Sequence, residues 1–226
     1  MSSSLLFDLD GTLVDTDGAH FAAFGEVFAE YDVAIDWETY RTKIMGAANR
    51  AITTVFLAHV PEREHAAIMD RKEARYRDLV ADIAPIAGLP ELLDFADGAG
   101  IPCAVVTNAP RLNADLVLEA LGIAGRFKAL VIGAELPQTK PHPLPYLEGL
   151  RLLGAQASAS VGFEDSRSGI AAAQAAGLAV VGMTTSLDAG TVKALGATIA
   201  VTDFTDPAVI QLVRRRALGQ DDRLTV

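Results

Sequence analysis

Two aspartates two residues apart follow an apolar run in Phe7-Asp8-Leu9-Asp10-Gly11-Thr12-Leu13-Val14-Asp15. At an extended chain end, side chains at i and i+2 point the same way. Two ionised carboxylates that close repel each other, and a divalent cation relieves the repulsion. Hard oxygen ligands favour Mg²⁺. Gly11 permits a tight turn that exposes backbone N–H groups to an anion. The plainer reading is a polar turn with no ion. Three further clusters follow. Thr107-Asn108 supplies a hydroxyl and an amide, with Arg111 close behind, all able to hydrogen-bond a phosphate oxygen. Gln138-Thr139-Lys140-Pro141-His142-Pro143 presents Lys140 as a point charge on a proline-stiffened loop. Gly162-Phe163-Glu164-Asp165-Ser166 adds two adjacent acids suited to complete a metal site. Taken singly, these are a turn, a loop charge and a helix cap.

The elements that must position these residues can be read from apolar patterning. Ser4–Phe7, Pro102–Val106, Ala129–Ile132, Ser158–Gly162, Ala179–Gly182 and Thr198–Val201 are short apolar runs bounded by turn residues. That pattern predicts strands buried on both faces of a parallel sheet. Helical patterns at Leu89–Ala99, Asn113–Leu121, Leu144–Leu153 and Ser168–Ala176 alternate with them. The alternation predicts an α/β fold with a doubly wound, mainly parallel, Rossmann-like sheet. In such sheets ligands bind beyond the carboxyl ends of the strands. Each of the four polar clusters falls at such an end.

Residues 16–84 hold no convincing strand. Phe21, Phe24, Phe28 and Tyr31 share one helical face, and Ile68, Lys72 and Tyr76 mark another within the charged segment Pro61–Asp82. Ile52, Val55 and Phe56 suit a third helix. The predicted organisation is an α/β core over 1–15 and 85–226 and a helical cap over 16–84. The cap leaves just after the first strand, so it can exclude water from a site there. Thr12–Thr16 and Ile83–Gly88 are the expected hinges, and the polar Gly219–Val226 is expected to fray.

Composition narrows the function classes. Of 226 residues half are hydrophobic, enough for a core without disulfides or a structural metal. Nineteen basic against 29 acidic side chains give a formal charge of −10. Such a surface argues against nucleic-acid binding and requires any phosphate site to be positive locally. The single cysteine, Cys103, lies in an apolar run and reads as a small buried hydrophobe. With no apolar stretch of spanning length and no basic leader, the expectation is a cytoplasmic protein without a membrane partner.

Together the four motifs resemble the haloacid dehalogenase superfamily of phosphohydrolases, over nearly the whole chain. FDLDGTLVDT and GFEDSRSGIAAAQAAG carry the resemblance. The second resembles the subgroup of phosphoglycolate phosphatase, sugar-phosphate phosphatases and β-phosphoglucomutase. The resemblance implies Asp8 as nucleophile, forming an aspartyl-phosphate, and Asp10 as acid and then base. It implies Mg²⁺ on Asp8, the backbone carbonyl of Asp10 and Asp165, with Glu164 nearby or bound directly. Thr107 and Lys140 would hold the phosphoryl oxygens, aided by Asn108 and the backbone of Leu9. Substrate contacts are expected from His20, Lys43, Gly46, Asn49 and Arg50 of the cap and from Arg111.

The implied partner is a small phosphorylated metabolite, and a monomer is expected. An aspartate at position 10 speaks against a dehalogenase. Met45 stands where the mutase cap has a lysine, Arg50 is displaced by one from the mutase arginine, and Asp78 aligns with a further mutase lysine. These departures favour a phosphatase over a mutase. Lys72, Arg75 and Arg77 read mostly as a solvated charged face. A non-catalytic phosphoacceptor, like the receiver domains of signalling proteins, is the remaining alternative. Receivers carry their phosphoacceptor on a later strand and lack the helical insert.

Overall fold

The computed structural model of the chain describes residues 2–80 and 83–220. The tail expected to fray lies outside the described residues from position 221, as do positions 81 and 82 at the end of the predicted cap. The chain runs β1 (Leu5–Phe7), α1 (Asp17–Ala29), α2 (Trp37–Thr39), α3 (Asn49–Phe56), α4 (Glu62–Leu79), α5 (Leu89–Gly98) and β2 (Cys103–Thr107). It continues as α6 (Arg111–Ala120), β3 (Ala129–Ile132), α7 (Leu144–Leu153), β4 (Val161–Glu164) and α8 (Arg167–Ala175). It ends with β5 (Ala179–Met183), α9 (Ala189–Ala194), β6 (Ile199–Val201) and α10 (Pro207–Ala217).

All six strands pair in parallel, in the order β3-β2-β1-β4-β5-β6. The chain winds outward from β1 through β2 and β3, then returns to β4 on β1's other side. The β1/β4 boundary is therefore the switch point at which such sheets open a crevice. Register matters here. Phe7 lies opposite both Val105 and Phe163, so β1 and β4 end within one residue of each other and β2 runs on two residues to Thr107.

Alternate strand residues face opposite layers. Leu5, Phe7, Val105, Phe163 and Val181 pack with Leu92, Val117 and Val209 of α5, α6 and α10. Leu6, Val106 and Val180 pack with Tyr146, Ile170 and Val192 of α7, α8 and α9. Gly149 lets α7 settle on the sheet, since a Cβ there would lie 2.7 Å from Leu6. The segment between β1 and α5 builds its own apolar cluster from Phe24, Phe28, Tyr40, Ile52 and Ile68.

Two expected elements move in ways that bear on the site. The strand expected over Ser158–Gly162 is Val161–Glu164, because Ala157–Ala159 closes into a 3₁₀ turn and pairing with β1 starts at Leu5↔Val161. Ser160 is used instead to bond Ser4, its Oγ accepting the Ser4 N–H at 3.1 Å. Glu164 is thus the last residue of the strand rather than a loop acid. Helix α6 starts at Arg111, two residues before the expected Asn113, directly after Pro110. The sequence reading assigned neither α9 nor α10, although Asp188 and Asp206 cap them and Pro207 opens the second.

The rings of Phe7 and Phe163 stack at 4.4 Å between centroids, at the centre of the sheet. Phe163→Ala is expected to lower stability by about 3–5 kcal/mol. Urea unfolding checks this as a lower midpoint at unchanged slope.

Candidate active site

The adjoining ends of β1 and β4 bring the predicted acids together. Asp8 follows β1 directly, and its N–H donates to the carbonyl of Phe163 at 2.9 Å, extending the ladder by one residue. Its carboxylate accepts from the Lys140 ammonium at 2.6 Å, and the same ammonium reaches Glu164 at 2.5 Å. Lys140 is buried, and Asn108 clamps its backbone. The Lys140 N–H donates to Asn108 Oδ1 at 3.2 Å, and Asn108 Nδ2 donates to the Lys140 carbonyl at 3.3 Å.

Glu164 is fully buried, with donors on both oxygens. Tyr146 donates to Oε1 at 2.7 Å, alongside Lys140, while the Asp165 N–H and Ser166 Oγ each donate to Oε2 at 3.2 Å. Its lone pairs are largely taken, so its principal effect is to fix Lys140. Asp165 differs. Ser186 Oγ donates to its Oδ2, but Oδ1 is buried with no protein partner. Asp8, Glu164 and Asp165 each offer an oxygen within 4.8 Å of the others.

Three buried carboxylates against one ammonium leave an excess of two negative charges. Burial pushes Asp8 up to about 7 although Lys140 pulls the other way, and the Glu164 charge adds to the rise. Asp165 is raised well above its ordinary value by burial and then by the charges of Asp8 and Glu164. Burial works against the Lys140 ammonium, but Asp8 and Glu164 outweigh it and hold the group protonated. A divalent cation matches this excess, and the orphaned Asp165 oxygen is a hard ligand aimed at the cluster. These residues fit a bound Mg²⁺. Gly11 is required beside them: its φ is +75°, and a Cβ there would overlap the Asp165 carboxylate.

Asp10 stands apart from the three acids. Thr16 donates to its Oδ1 at 2.5 Å, and His20 Nε2 lies 3.6 Å from the same oxygen. Burial opposes its charge, yet these partners together with Lys72 hold its carboxyl below the usual range. Its Oδ1 is therefore engaged by residues of the insert.

The cavity over these residues is lined by Asp8, Asp10, Lys140 and Asp165 from the sheet side, with Thr107 and Asn108 beside them. Thr107 Oγ1 accepts the Ala109 N–H at 2.9 Å, which shapes the turn after β2. His20, Gly46 and Asn49 of the insert also line the cavity. Ser168 at the start of α8 donates to the Gly46 carbonyl at 2.7 Å, tying the insert to the sheet half.

Three expected substrate contacts do not reach the cavity. Lys43 is exposed, because Tyr40 and Ile44 take the inward positions of that turn. Arg50 is exposed, 3.9 Å from Glu62 across the outer face, while Asn49 and Ile52 face inward from α3. Arg111 is held outside by a two-pronged pair with Glu135, both contacts 2.7 Å.

Lys72 reverses the expectation of a solvated face. It is 2% exposed. Its ammonium lies 2.9 Å from His20 Nδ1, 3.2 Å from both oxygens of Glu73 and 4.2 Å from the Phe24 ring centre. Glu73 also accepts from Asn49 at 2.8 Å and from Asn113 of α6 at 2.7 Å. Arg77 bonds Asn113 at 2.8 Å, whereas Arg75 lies on the outer surface paired with Glu26, as expected of a solvated charge. The signal for Lys72 was present, since it shares the apolar i, i+4 row of Ile68 and Tyr76. Position 78, aligned with a lysine in the resemblance, is an exposed aspartate.

The family of haloacid dehalogenase-like hydrolases matches residues 5–183. The chain belongs to this family. A CbbY protein from Rhodobacter capsulatus is 36% identical over 191 residues, covering 79% of this chain and 83% of its own. A phosphoglycolate phosphatase from Xanthomonas campestris is 31% identical over 176 residues, covering 77% and 80%. The crystal structure of CbbY from Rhodobacter sphaeroides with xylulose 1,5-bisphosphate superposes with a TM-score of 0.81 at 28% identity, over 91% of this chain and 96% of that one. The chain is thus a phosphatase-type hydrolase of the haloacid dehalogenase-like family. No helix among its described residues is long and apolar enough to cross a membrane.

The crowded carboxylates of this hydrolase give a pH signature. Asp8 keeps its proton to about 7 in the fold, against 3.8 as its ordinary value. Without metal, that part of the stability is present at low pH and is lost as pH rises from about 4 to about 7. In EDTA, Asp8→Asn is expected to gain melting temperature over wild type across this window, and Mg²⁺ to stabilise wild type most above it. A pH-independent difference between the two proteins contradicts the assignment.

Proposed function

We propose that the chain is a Mg²⁺-dependent phosphatase of small phosphorylated metabolites, sugar phosphates or phosphoglycolate-like acids, working through an aspartyl-phosphate on Asp8. The observation that carries this reading is the single Lys140 ammonium bridging Asp8 and Glu164 beside the orphaned Asp165 oxygen. A carboxylate can attack a phosphate dianion only where local positive charge offsets the repulsion. Asp8, Asp165 and the Asp10 backbone carbonyl would hold Mg²⁺, whose charge supplies part of that offset. Glu164 supports the site by positioning Lys140.

In the proposed reaction an Asp8 oxygen forms a bond to phosphorus and the ester P–O bond breaks. Asp10 gives its proton to the departing alkoxide. A water then attacks phosphorus of the aspartyl-phosphate and gives a proton to Asp10, releasing inorganic phosphate and restoring Asp8. Thr107 and Lys140 hold the transferring oxygens. Residues 16–84 act as a cap over a core of 1–15 and 85–226, a division supported by the insert's separate apolar cluster. The cavity of about 100 Å³ suits a small leaving group. A mutase has to hold a second phosphate. The outward Lys43, Arg50 and Arg111 speak against that alternative.

Phosphate release from a panel of small esters, with Mg²⁺ or EDTA, tests the proposal. Release is expected only with the metal, and Asp8→Asn is expected to abolish it. Lys140→Ala is expected to slow release about a hundredfold or more. Conversion of β-glucose 1-phosphate to glucose 6-phosphate with little free phosphate would make the protein a mutase instead.

A further inference from the structure

The insert half of the cavity carries an unusual charge pattern. Among the described residues lining the cavity, the cations are Lys140 and Lys72. Lys140 is committed to Asp8 and Glu164. Lys72 is matched by the buried carboxylate of Glu73, which also takes amide donors from Asn49 and Asn113. Those donors and the Lys72 charge hold Glu73 ionised against the cost of burial. Asp17, whose carboxylate accepts from Tyr40 at 2.9 Å, faces the same space. Asp10 borders it. Apart from Asp10, which carries a proton in the proposed first step, the leaving-group side thus presents the two carboxylates of Glu73 and Asp17 against one ammonium. His20 adds no charge there at neutral pH, because burial and the neighbouring Lys72 hold its imidazole neutral.

From this we infer that the enzyme selects monophosphate esters of uncharged alcohols, and that Glu73 is the residue that rejects leaving groups carrying a carboxylate or a second phosphate. The inference rests on the phosphatase reading above and narrows its substrate class. An anionic leaving group would enter a desolvated space already negative, and could reach Lys72 only by displacing Glu73. That would leave Glu73 buried and unpaired, a strong penalty in a site of low dielectric. A hydroxylated neutral leaving group meets no such conflict. The Asn49 amide, the Tyr40 hydroxyl and the oxygens of Asp17 and Glu73 can exchange hydrogen bonds with alcohol groups. The Rhodobacter sphaeroides CbbY, by contrast, was crystallised as a D10N mutant with a bisphosphate.

The test compares kcat/KM for pairs of similar size in which one member carries a carboxylate in place of a neutral group. Glycerol 3-phosphate is set against 3-phosphoglycerate, and glucose 6-phosphate against 6-phosphogluconate, all with Mg²⁺. Wild type is expected to favour the neutral member of each productive pair by about tenfold or more. Glu73→Gln keeps an acceptor for the amides and removes the charge. It is expected to narrow that ratio at least about threefold, mainly by lowering KM for the anionic member. Equal or better turnover of the anionic members by wild type overturns the inference while leaving the phosphatase reading intact, and this comparison does not depend on the variant folding. A folded Glu73→Gln with an unchanged ratio removes Glu73 from the role. Absence of Mg²⁺-dependent release from every ester, these and the wider panel, removes the phosphatase reading itself.

Discussion

One buried ammonium between two carboxylates governs how this molecule is built around its site. Lys140 contacts Asp8 at the end of β1 and Glu164 at the end of β4, the two strands that meet at the switch point. Desolvating those acids would cost several kcal/mol each without it. The pairing therefore demands strands that end within a residue of each other, a loop that delivers the lysine, and donors that keep Glu164 in place. The Phe7↔Phe163 register meets the first demand, the Asn108 clamp the second, and Tyr146 with Ser166 the third. What remains unmet is the second oxygen of Asp165 and the surplus negative charge around it. The same residues that stabilise Lys140 thus leave a deficit that a divalent ion fits.

A second polar layer rises from the first into the insert. Asp10 leads to His20, His20 to Lys72, and Lys72 to Glu73, which ends on Asn113 of the sheet half. His20 also stacks on the Tyr76 ring at 3.8 Å, so the imidazole is fixed from its face as well as its edges. Helix α4 can bury a lysine and a glutamate side by side because each satisfies the other and amides take the rest. This chain of contacts ties insert to sheet half through polar groups, beside a cavity that Phe24, Ile44, Met45 and Ile52 also line.

Much of this was legible because strand ends and polar clusters coincide in the sequence. Asp8, Thr107, Lys140, Glu164 and Asp165 stand together where a doubly wound sheet must place them. The shift of β4, by three residues at its start and two at its end, was not legible, since pairing with β1 decides it. Lys43, Arg50 and Arg111 show a different limit. Charge type and nearness to a motif do not say on which side of a turn or helix a side chain falls. Periodicity does, and it put Lys72 on the apolar face with Ile68 and Tyr76 although its charge suggested solvent. Glu73, one residue on, was hidden because its burial depends, beside the adjacent Lys72, on partners from two distant segments, Asn49 and Asn113.

The state of Asp10 follows from these two layers acting together. Thr16, His20 and Lys72 hold it ionised in the ligand-free protein, the form a base requires. The proposed first step requires it as an acid. A phosphate ester arriving between Asp8 and Lys140 brings negative charge beside Asp10 and favours its protonated form. Loss of the alkoxide then consumes that proton, and the carboxylate left behind is again the form its partners stabilise, ready to take a proton from water. In the proposed reaction the insert would therefore set the resting charge of Asp10 and the substrate would reverse it, so one aspartate would serve both half-reactions beside Thr16 and His20.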